Sequence, residues 1–306
     1  MAQGWLAGVA QMDITPPLGV WLTGYGNRPG PASNVLDPLF VRALAVSDGE
    51  RTAALVSVDL VGLSAAHVKE IRRQVAARTG IPPELLLLNA SHTHAGPATM
   101  ALRSLGECDP EYCALLPRWV ATVVELAVRR LAPGRLAYGE AITDIGINRR
   151  EVREGRIVMG PNPHSAYDRT VAVLRVDGED GAPRTVWFSH ATHGVVMGNQ
   201  NTGISAEWPG AACATLRQAL GGECVPLFAQ GCAGDINPRR RGDFEVVRSV
   251  GRELAGAVLT AIETAEPIPS TGVAGAREVV DLPQYAPSTA EADAAVAEMK
   301  ERLAQV

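Results

Sequence analysis

The chain has 306 residues, of which 46% are hydrophobic and 20% charged, as in an ordinary globular protein with room for one large domain or two small ones. Its net charge of −5 argues against a nucleic-acid-binding protein. No apolar run approaches the roughly 18 residues of a membrane span, so no stable membrane anchor is expected. Since the five cysteines follow no framework and no secretory signal is visible, we expect a cytoplasmic protein with reduced thiols.

The first third of the chain predicts mostly strands. An apolar run from Trp5 to Ile14 predicts one strand, and the runs 39–47 and 52–60 predict a β-hairpin. The second run ends with Asp59, an acid that either caps the next element or faces a site. A helix is predicted from Ser64 to Arg78, because apolar residues repeat along one face of that segment.

Two loops in this part of the chain carry polar side chains of the kind found in sites. The glycine-rich segment Thr23–Pro31 contains Tyr, Asn and Arg, and it is either the wall of a site or a plain irregular loop. The loop Ser91–Pro97 follows a short apolar run and contains His92 and His94. Two imidazoles at i and i+2 on an extended backbone point the same way, and neutral imidazoles bind divalent metals. The alternative is two polar histidines that bond to nearby backbone.

The rest of the chain alternates between predicted helices and predicted strands. The pattern predicts helix 110–132, strand 135–147, a hairpin of 170–177 and 185–189, helix 206–219, strand 224–229 and helix 244–264. Two hairpins interrupt the alternation, so we predict an α/β (mixed α+β) fold with a mixed β-sheet core flanked by helices, in a single domain over residues 1–306. A capping box at 288–291 opens an amphipathic helix that Val306 cuts short, so we expect a truncation at the C-terminal end.

Three loops follow strands and end near Gly or Pro. They contain His92 and His94, the pair His190 and His193, and the segment Gly234-Asp235-Ile236-Asn237-Pro238. Because sites in such folds gather at strand ends, we expect these loops to meet. His92, His94 and His193 with a carboxylate would form a zinc shell with one open position for water.

Several of the histidines also allow a purely structural interpretation. His193 can also be a satisfied core histidine, and of His190 and His193, spaced i and i+3, one can bind metal while the other is structural. His67 is expected to be exposed on the first helix, and His164 to be solvated in a Pro-rich loop.

Seven stretches occur in an order that resembles one known family. They are Asp13-Ile14-Thr15-Pro16, Gly24-Tyr25-Gly26, Leu39 to Ala43 with Arg42, Ser91 to Pro97, Asn148-Arg149, Thr192-His193-Gly194 and Gly234 to Pro238. Together they resemble the neutral/alkaline non-lysosomal ceramidases, in particular the bacterial members with Gly-Asp-Ile-Asn-Pro. The resemblance implies the N-terminal catalytic-domain fold of that family and a zinc-dependent amidohydrolase that cleaves an N-acyl bond.

The resemblance also implies roles for individual residues. His92 and His193 match zinc ligands, and His94 matches a second histidine beside the metal that acts on the substrate or the developing oxyanion. Arg149 matches the arginine of the Asn-Arg motif, where it can hold a carbonyl oxygen or an oxyanion.

The sequence departs from the family pattern at Asn237. The family's Gly-Asp-x-Ser-Pro motif supplies a serine that attacks the amide, and here Asp235 is kept while Asn237 replaces the serine. Asparagine is not a nucleophile. We therefore expect Asn237 to donate a hydrogen bond to the oxyanion, while water activated by Zn²⁺ attacks an amide or ester bond.

The zinc shell is the second departure. The family completes it with a Glu and a Tyr beyond the end of this sequence, so either the chain is a fragment or Asp59, Glu207 or Asp235 completes the shell. The expected partner is a small-molecule or lipid N-acyl substrate. Two alternatives remain: a non-catalytic metal- or ligand-binding relative, and a two-metal hydrolase that uses Asp59 and Asp235 with the histidines.

Overall fold

The computed structural model describes residues 4–102, 104–284 and 286–304. One compact unit extends to Gly275, and a second begins at Ala276. The helices are α1 (Ala65–Thr79), α2 (Pro110–Arg129), α3 (Glu207–Ala219), α4 (Phe244–Glu263) and α5 (Thr289–Ala304). The strands are β1 (Trp5–Asp13), β2 (Asn34–Val35), β3 (Phe40–Ser47), β4 (Thr52–Val58), β5 (Leu86–Ala90), β6 (Ala132–Ile142), β7 (Gly146–Arg153), β8 (Arg156–Asn162), β9 (Thr170–Gly178), β10 (Pro183–His190), β11 (Gly203–Ile204), β12 (Val225–Gln230), β13 (Ile236–Pro238) and β14 (Glu266–Pro267).

Most helix ends lie where the sequence predicts them. Ser64 caps α1 by accepting a hydrogen bond from the backbone N–H of His67, and Gly80 ends the helix with a φ of 75°. In the second unit, Ser288 and Glu291 form the predicted capping box at the start of α5. The interruption expected at Val306 lies outside the described residues. No helix in the described part of the chain is long and apolar enough to span a membrane.

The predicted strand 135–147 is wrong in one respect, because two strands occupy this region. β6 begins at Ala132 and includes Pro133 and Gly134, which pair with Leu6 and Trp5 at the start of β1. β7 belongs to a separate three-stranded sheet with β8 and β13. The pattern missed β8 because most of its residues are polar or exposed, so they carry no alternating signal.

The main sheet is mixed, as predicted, and has the order β12-β10-β9-β6-β1-β3-β4-β5, with β14 also paired to β6. Neighbours along this path are antiparallel except at its two ends, where β10 pairs with β12 and β4 with β5 in parallel. Helices flank it: α1 and α2 cover the half that contains β1, β3 and β4, and α3 and α4 cover the half that contains β9, β10 and β12.

The sheet bends so that its two halves face each other. An inner cluster joins them through Trp5, Leu44, Val46, Leu136, Val176, Trp187 and Leu227. The end strands β5 and β12 then lie side by side. The side-chain amide of Asn89 donates to the backbone oxygen of Gln230 at 3.1 Å and accepts from its N–H at 2.8 Å. The loops after β5, β10 and β12 therefore emerge at one place.

A buried ion pair fixes the end of β4 beside this place. Oδ2 of Asp59 accepts from Nη1 of Arg42 at 2.8 Å and from the N–H of Phe40 at 2.9 Å. Asp59 is 1% exposed and Arg42 is 5% exposed. Asp59 was expected to cap the next element or to face a site, and both expectations are wrong, because its carboxylate is taken up by Arg42.

We predict that Asp59→Ala lowers the free energy of unfolding by about 3–5 kcal/mol, because it leaves the Arg42 charge buried and unpaired. Urea denaturation measures the change. Glu70→Ala is the control, since it removes an exposed partner of Arg73 and should have a much smaller effect. Equal losses in the two variants would contradict the structural role of the buried pair.

Candidate metal site

Three histidines that the sequence places in two distant loops meet at the ends of β5 and β10. The loops join by a bridge between Thr93 and Gly194 and by a 3.1 Å hydrogen bond from the His94 N–H to the Gly194 oxygen. Nε2 of His92 lies 3.2 Å from Nε2 of His193 and 3.3 Å from Nε2 of His94. The donor atoms of the three side chains lie within 4.8 Å of one another, so the group could hold a metal ion.

The backbone fixes the proton positions of two of these rings. Nδ1 of His92 lies 2.7 Å from the Val61 oxygen, and Nδ1 of His193 lies 2.6 Å from the Ala233 oxygen. A carbonyl oxygen only accepts, so each Nδ1 carries the proton. Each Nε2 then presents a lone pair to the common point, as in histidines that bind metals.

Burial and nearby positive charge keep two of the imidazoles, those of His94 and His193, neutral. Burial, followed by the influence of Arg149 and His92, lowers the pKa of His193 to about 4. Burial, with contributions from His92, His193 and Arg28, lowers the pKa of His94 to about 3. Both rings are therefore neutral at neutral pH, the protonation state that binds a metal.

The spacing of the rings agrees with a tetrahedral metal. Metal–nitrogen distances of about 2.0–2.1 Å place neighbouring tetrahedral ligand atoms about 3.3–3.4 Å apart. The observed separation of 3.2 Å between Nε2 of His92 and Nε2 of His193 is close to this value. His92 adopts a φ of 60°, a conformation that costs a non-glycine residue energy and is often found at functional sites.

The glycine-rich loop forms one wall of the site. The ring of Tyr25 meets the ring of His94 edge-on at 5.2 Å, and its hydroxyl donates to the Met197 oxygen. Arg28 donates to the backbone oxygen of His94. Gly24 has a φ of 94°, and a Cβ there would collide with Nδ1 of His94, so only glycine fits. The loop thus packs against the histidine cluster, as its interpretation as the wall of a site expects.

The opposite wall joins the Asn-Arg motif to the Gly-Asp-Ile-Asn-Pro motif. β7 pairs with β13, and the N–H of Arg149 donates to the Asp235 oxygen at 2.7 Å. The Arg149 side chain donates to the Gly234 oxygen at 3.1 Å and to Oδ1 of Asn237 at 3.3 Å. Asn148 reaches the Asp235 carboxylate at 3.3 Å. The N–H of His193 donates to the Ile236 oxygen in β13 at 3.1 Å, so this wall adjoins the imidazoles.

The remaining histidines lie outside the cluster. Nδ1 of His190 lies 2.9 Å from the Thr170 oxygen and its Nε2 lies 3.0 Å from Oγ1 of Thr192, so it is the structural member of its pair. His67 is half-buried, not exposed as expected, because its ring packs under α2 rather than into solvent. His164 is exposed, as expected.

No carboxylate within the described residues joins the three imidazoles. Asp59 is paired with Arg42. Glu207 was another candidate, and its Oε1 instead accepts from the N–H of Met197 at 2.7 Å while Oε2 accepts from that of Trp208. Sequence reasoning missed Trp208, whose Nε1–H donates to the His193 oxygen at 2.9 Å, because no local motif marks this contact.

Comparison with known proteins identifies the family. Residues 5–252 match the family model described as neutral/alkaline non-lysosomal ceramidase, N-terminal. The chain belongs to this family. It is 27% identical over 282 residues to the neutral ceramidase of Pseudomonas aeruginosa, and 28% identical over 229 residues to that of Oryza sativa subsp. japonica. These alignments cover 82% and 69% of the chain but 41% and 28% of the relatives, so the chain spans less than half their length.

Two solved structures share the ceramidase fold. The crystal structure of neutral ceramidase from Pseudomonas aeruginosa has a TM-score of 0.75 at 20% identity, over 88% of this chain and 46% of that one. A ceramidase complexed with C2 has a TM-score of 0.74 at 22% identity, over 88% and 45%. At these identities, the similarity confirms the mixed fold of this family member.

We predict that zinc binding depends on His92 and His193. Elemental analysis of the purified wild-type protein should find about one zinc per chain, the content of a single site. His92→Ala and His193→Ala should each lose it, because each removes an oriented Nε2. His164→Ala, an exposed histidine remote from the cluster, is the control and should keep the metal. Stoichiometric zinc in both site variants would exclude this site.

We predict a distinct pH dependence for Glu207→Gln. Burial raises the pKa of Glu207 from 4.5 to about 7, so the folded protein holds a proton that the unfolded chain releases between these values. The contribution of Glu207 to stability is complete below pH 4.5 and declines as the pH rises to 7. The variant should gain stability relative to the wild type over that interval. Urea denaturation across the pH range measures this gain, and parallel curves would contradict it.

Proposed function

We propose that this ceramidase-family protein is a zinc-dependent hydrolase of an amide (N-acyl) or ester bond. The convergence of three imidazoles beside the wall of Arg149 and Asn237 carries this proposal. A zinc ion bound there would supply Lewis acidity, lowering the pKa of a water molecule and offsetting charge on an acyl oxygen. The relatives are named neutral ceramidases, which favours an N-acyl amide among small-molecule or lipid substrates.

His92 and His193 are the proposed zinc ligands, since both have Nδ1 held by a carbonyl. His94 differs from them. Its Nδ1 is buried against Gly24 and makes no hydrogen bond of ordinary geometry within the described chain. The backbone of Gly24 therefore holds this ring less firmly than the Val61 and Ala233 oxygens hold the other two, which agrees with a role on the substrate or the oxyanion rather than as a permanent ligand. His94→Ala should then keep zinc and lose activity.

Arg149 and Asn237 are the proposed oxyanion donors. The guanidinium of Arg149 is held by neutral oxygens of Gly234 and Asn237, so its charge is left for the acyl oxygen. Oδ1 of Asn237 already accepts from Arg149, so the amide Nδ2 of Asn237 is the group that we propose donates to the oxyanion. Asp235 positions this pair through the backbone of Arg149 and the amide of Asn148.

Other expectations stay predictions. These are the single domain over residues 1–306, completion of the zinc shell by the Glu and Tyr of the family pattern, and the cytoplasmic location. A non-catalytic relative remains the second candidate function, because Asn237 replaces the family's serine. The two-metal alternative required Asp59 as a metal ligand, and the pairing of Asp59 with Arg42 argues against that role.

The test is hydrolysis by the zinc-loaded protein of a panel of N-acyl amides and acyl esters, followed by mass spectrometry of the released acid. We predict that Arg149→Ala lowers turnover by ~10²–10³, the usual loss for one oxyanion donor.

The matched control is Arg150→Ala. Arg150 is the exposed neighbour, and it donates to the same Gly234 oxygen. Its loss should leave turnover nearly unchanged. Both variants should keep the wild-type zinc content and melting temperature. No turnover of any substrate by a zinc-loaded, folded wild type would favour the non-catalytic candidate.

A further inference from the structure

A cavity of about 430 Å³ adjoins the wall formed by Arg149 and Asn237. Its positive side consists of Arg149, Arg239 and Arg241, and its apolar side includes Ile147 and Met159. None of the described residues that line it is acidic. The cavity therefore suits an organic anion, whose charge the arginines would bind and whose carbon atoms the apolar side chains would contact.

Arg241 is the least satisfied of these arginines. It is exposed, and among the described residues no hydrogen bond or ion pair involves its side chain. The preceding Arg240 contrasts with it, since it pairs with Glu253 at 2.6 Å and donates to Ser249. Arg239 is partly balanced, because it donates to the Tyr167 hydroxyl at 3.2 Å and lies 3.9 Å from Asp144.

Arg241 lines the same cavity as Arg149 and Asn237, the proposed oxyanion donors. Burial lowers the pKa of Arg149, and Arg150 and Arg241 lower it further. The charge of Arg241 likewise acts on Tyr25, which stands on the opposite wall against His94. A group held by Arg241 would thus occupy the same cavity as Arg149 and Asn237.

We propose that this cavity binds an anionic group, a carboxylate or a phosphate, carried by the amine part of the amide that the protein cleaves. This inference rests on the proposed function and specifies its substrate class. The positive charges of the three arginines repel one another, and an anion bound between them would offset that repulsion. Guanidinium groups bind carboxylates and phosphates through paired hydrogen bonds. An uncharged N-acyl compound would leave Arg241 without a partner and Arg239 with only Tyr167 and Asp144.

The test compares two substrates that differ in one group. N-octanoylglycine and N-octanoylethanolamine share the acyl chain, the amide and a two-carbon amine part, and only the first carries a carboxylate. The zinc-loaded wild type should have the higher kcat/KM for the acid, by ~10-fold or more, as expected for a hydrogen bond to a charged group.

Arg241→Gln should remove most of that preference, and Arg239→Gln a smaller part because Tyr167 and Asp144 also engage Arg239. Arg150→Gln is the control and should keep the preference, since Arg150 does not line the cavity. Equal kcat/KM for the two substrates, or an undiminished preference in Arg241→Gln, would overturn the inference.

A binding measurement separates this inference from the proposed function. Calorimetry on the wild-type protein gives dissociation constants for both compounds without requiring turnover. Tighter binding of N-octanoylglycine that weakens in Arg241→Gln would support the anion site, even if neither compound were hydrolysed and the proposed function failed. Absence of binding by either compound would overturn the anion site.

Discussion

The bend that brings the two ends of the main sheet together is the constraint on which the site depends. The parallel pairs β4–β5 and β10–β12 are distant along the sheet, yet Asn89 bonds to both backbone groups of Gln230. The Ser57 hydroxyl makes a similar link to the buried Phe228 oxygen at 2.6 Å. Buried polar backbone groups need partners, so these side chains act where no ladder exists between the end strands. The loops that contain the histidines are adjacent as a result.

The electrostatics of the site follow from the same packing. Desolvation and nearby arginines both disfavour protonated imidazole, so His94 and His193 remain neutral. The charges of Arg28 and Arg149 are held largely by neutral oxygens. Their positive potential is therefore not cancelled locally and is available to oxygen that gains negative charge. One arrangement thus favours both a metal-binding form of histidine and an oxyanion.

The acids near the site serve the fold. Asp59 neutralises Arg42, and Glu207 accepts backbone N–H groups at the start of α3. Asp235 holds the strand that presents Arg149. Recruiting Asp59 or Glu207 to a metal would leave a buried donor unpaired, which carries a free-energy cost of about 1–3 kcal/mol. This explains why the described site consists of imidazoles and positive charge.

Local signals in the chain were enough to predict the mixed fold, most helix ends and the histidines that converge, because apolar periodicity, capping residues and strand-end motifs are all short-range patterns. Motifs also pointed to Arg149 and Asn237. Long-range packing was needed to establish that Asp59 pairs with Arg42, that Glu207 faces backbone, and that Arg241 faces the cavity. It also divides 132–153 into two strands of different sheets. The partner of a buried charge and the sheet that a strand joins depend on residues far away in the chain, and no local pattern records them.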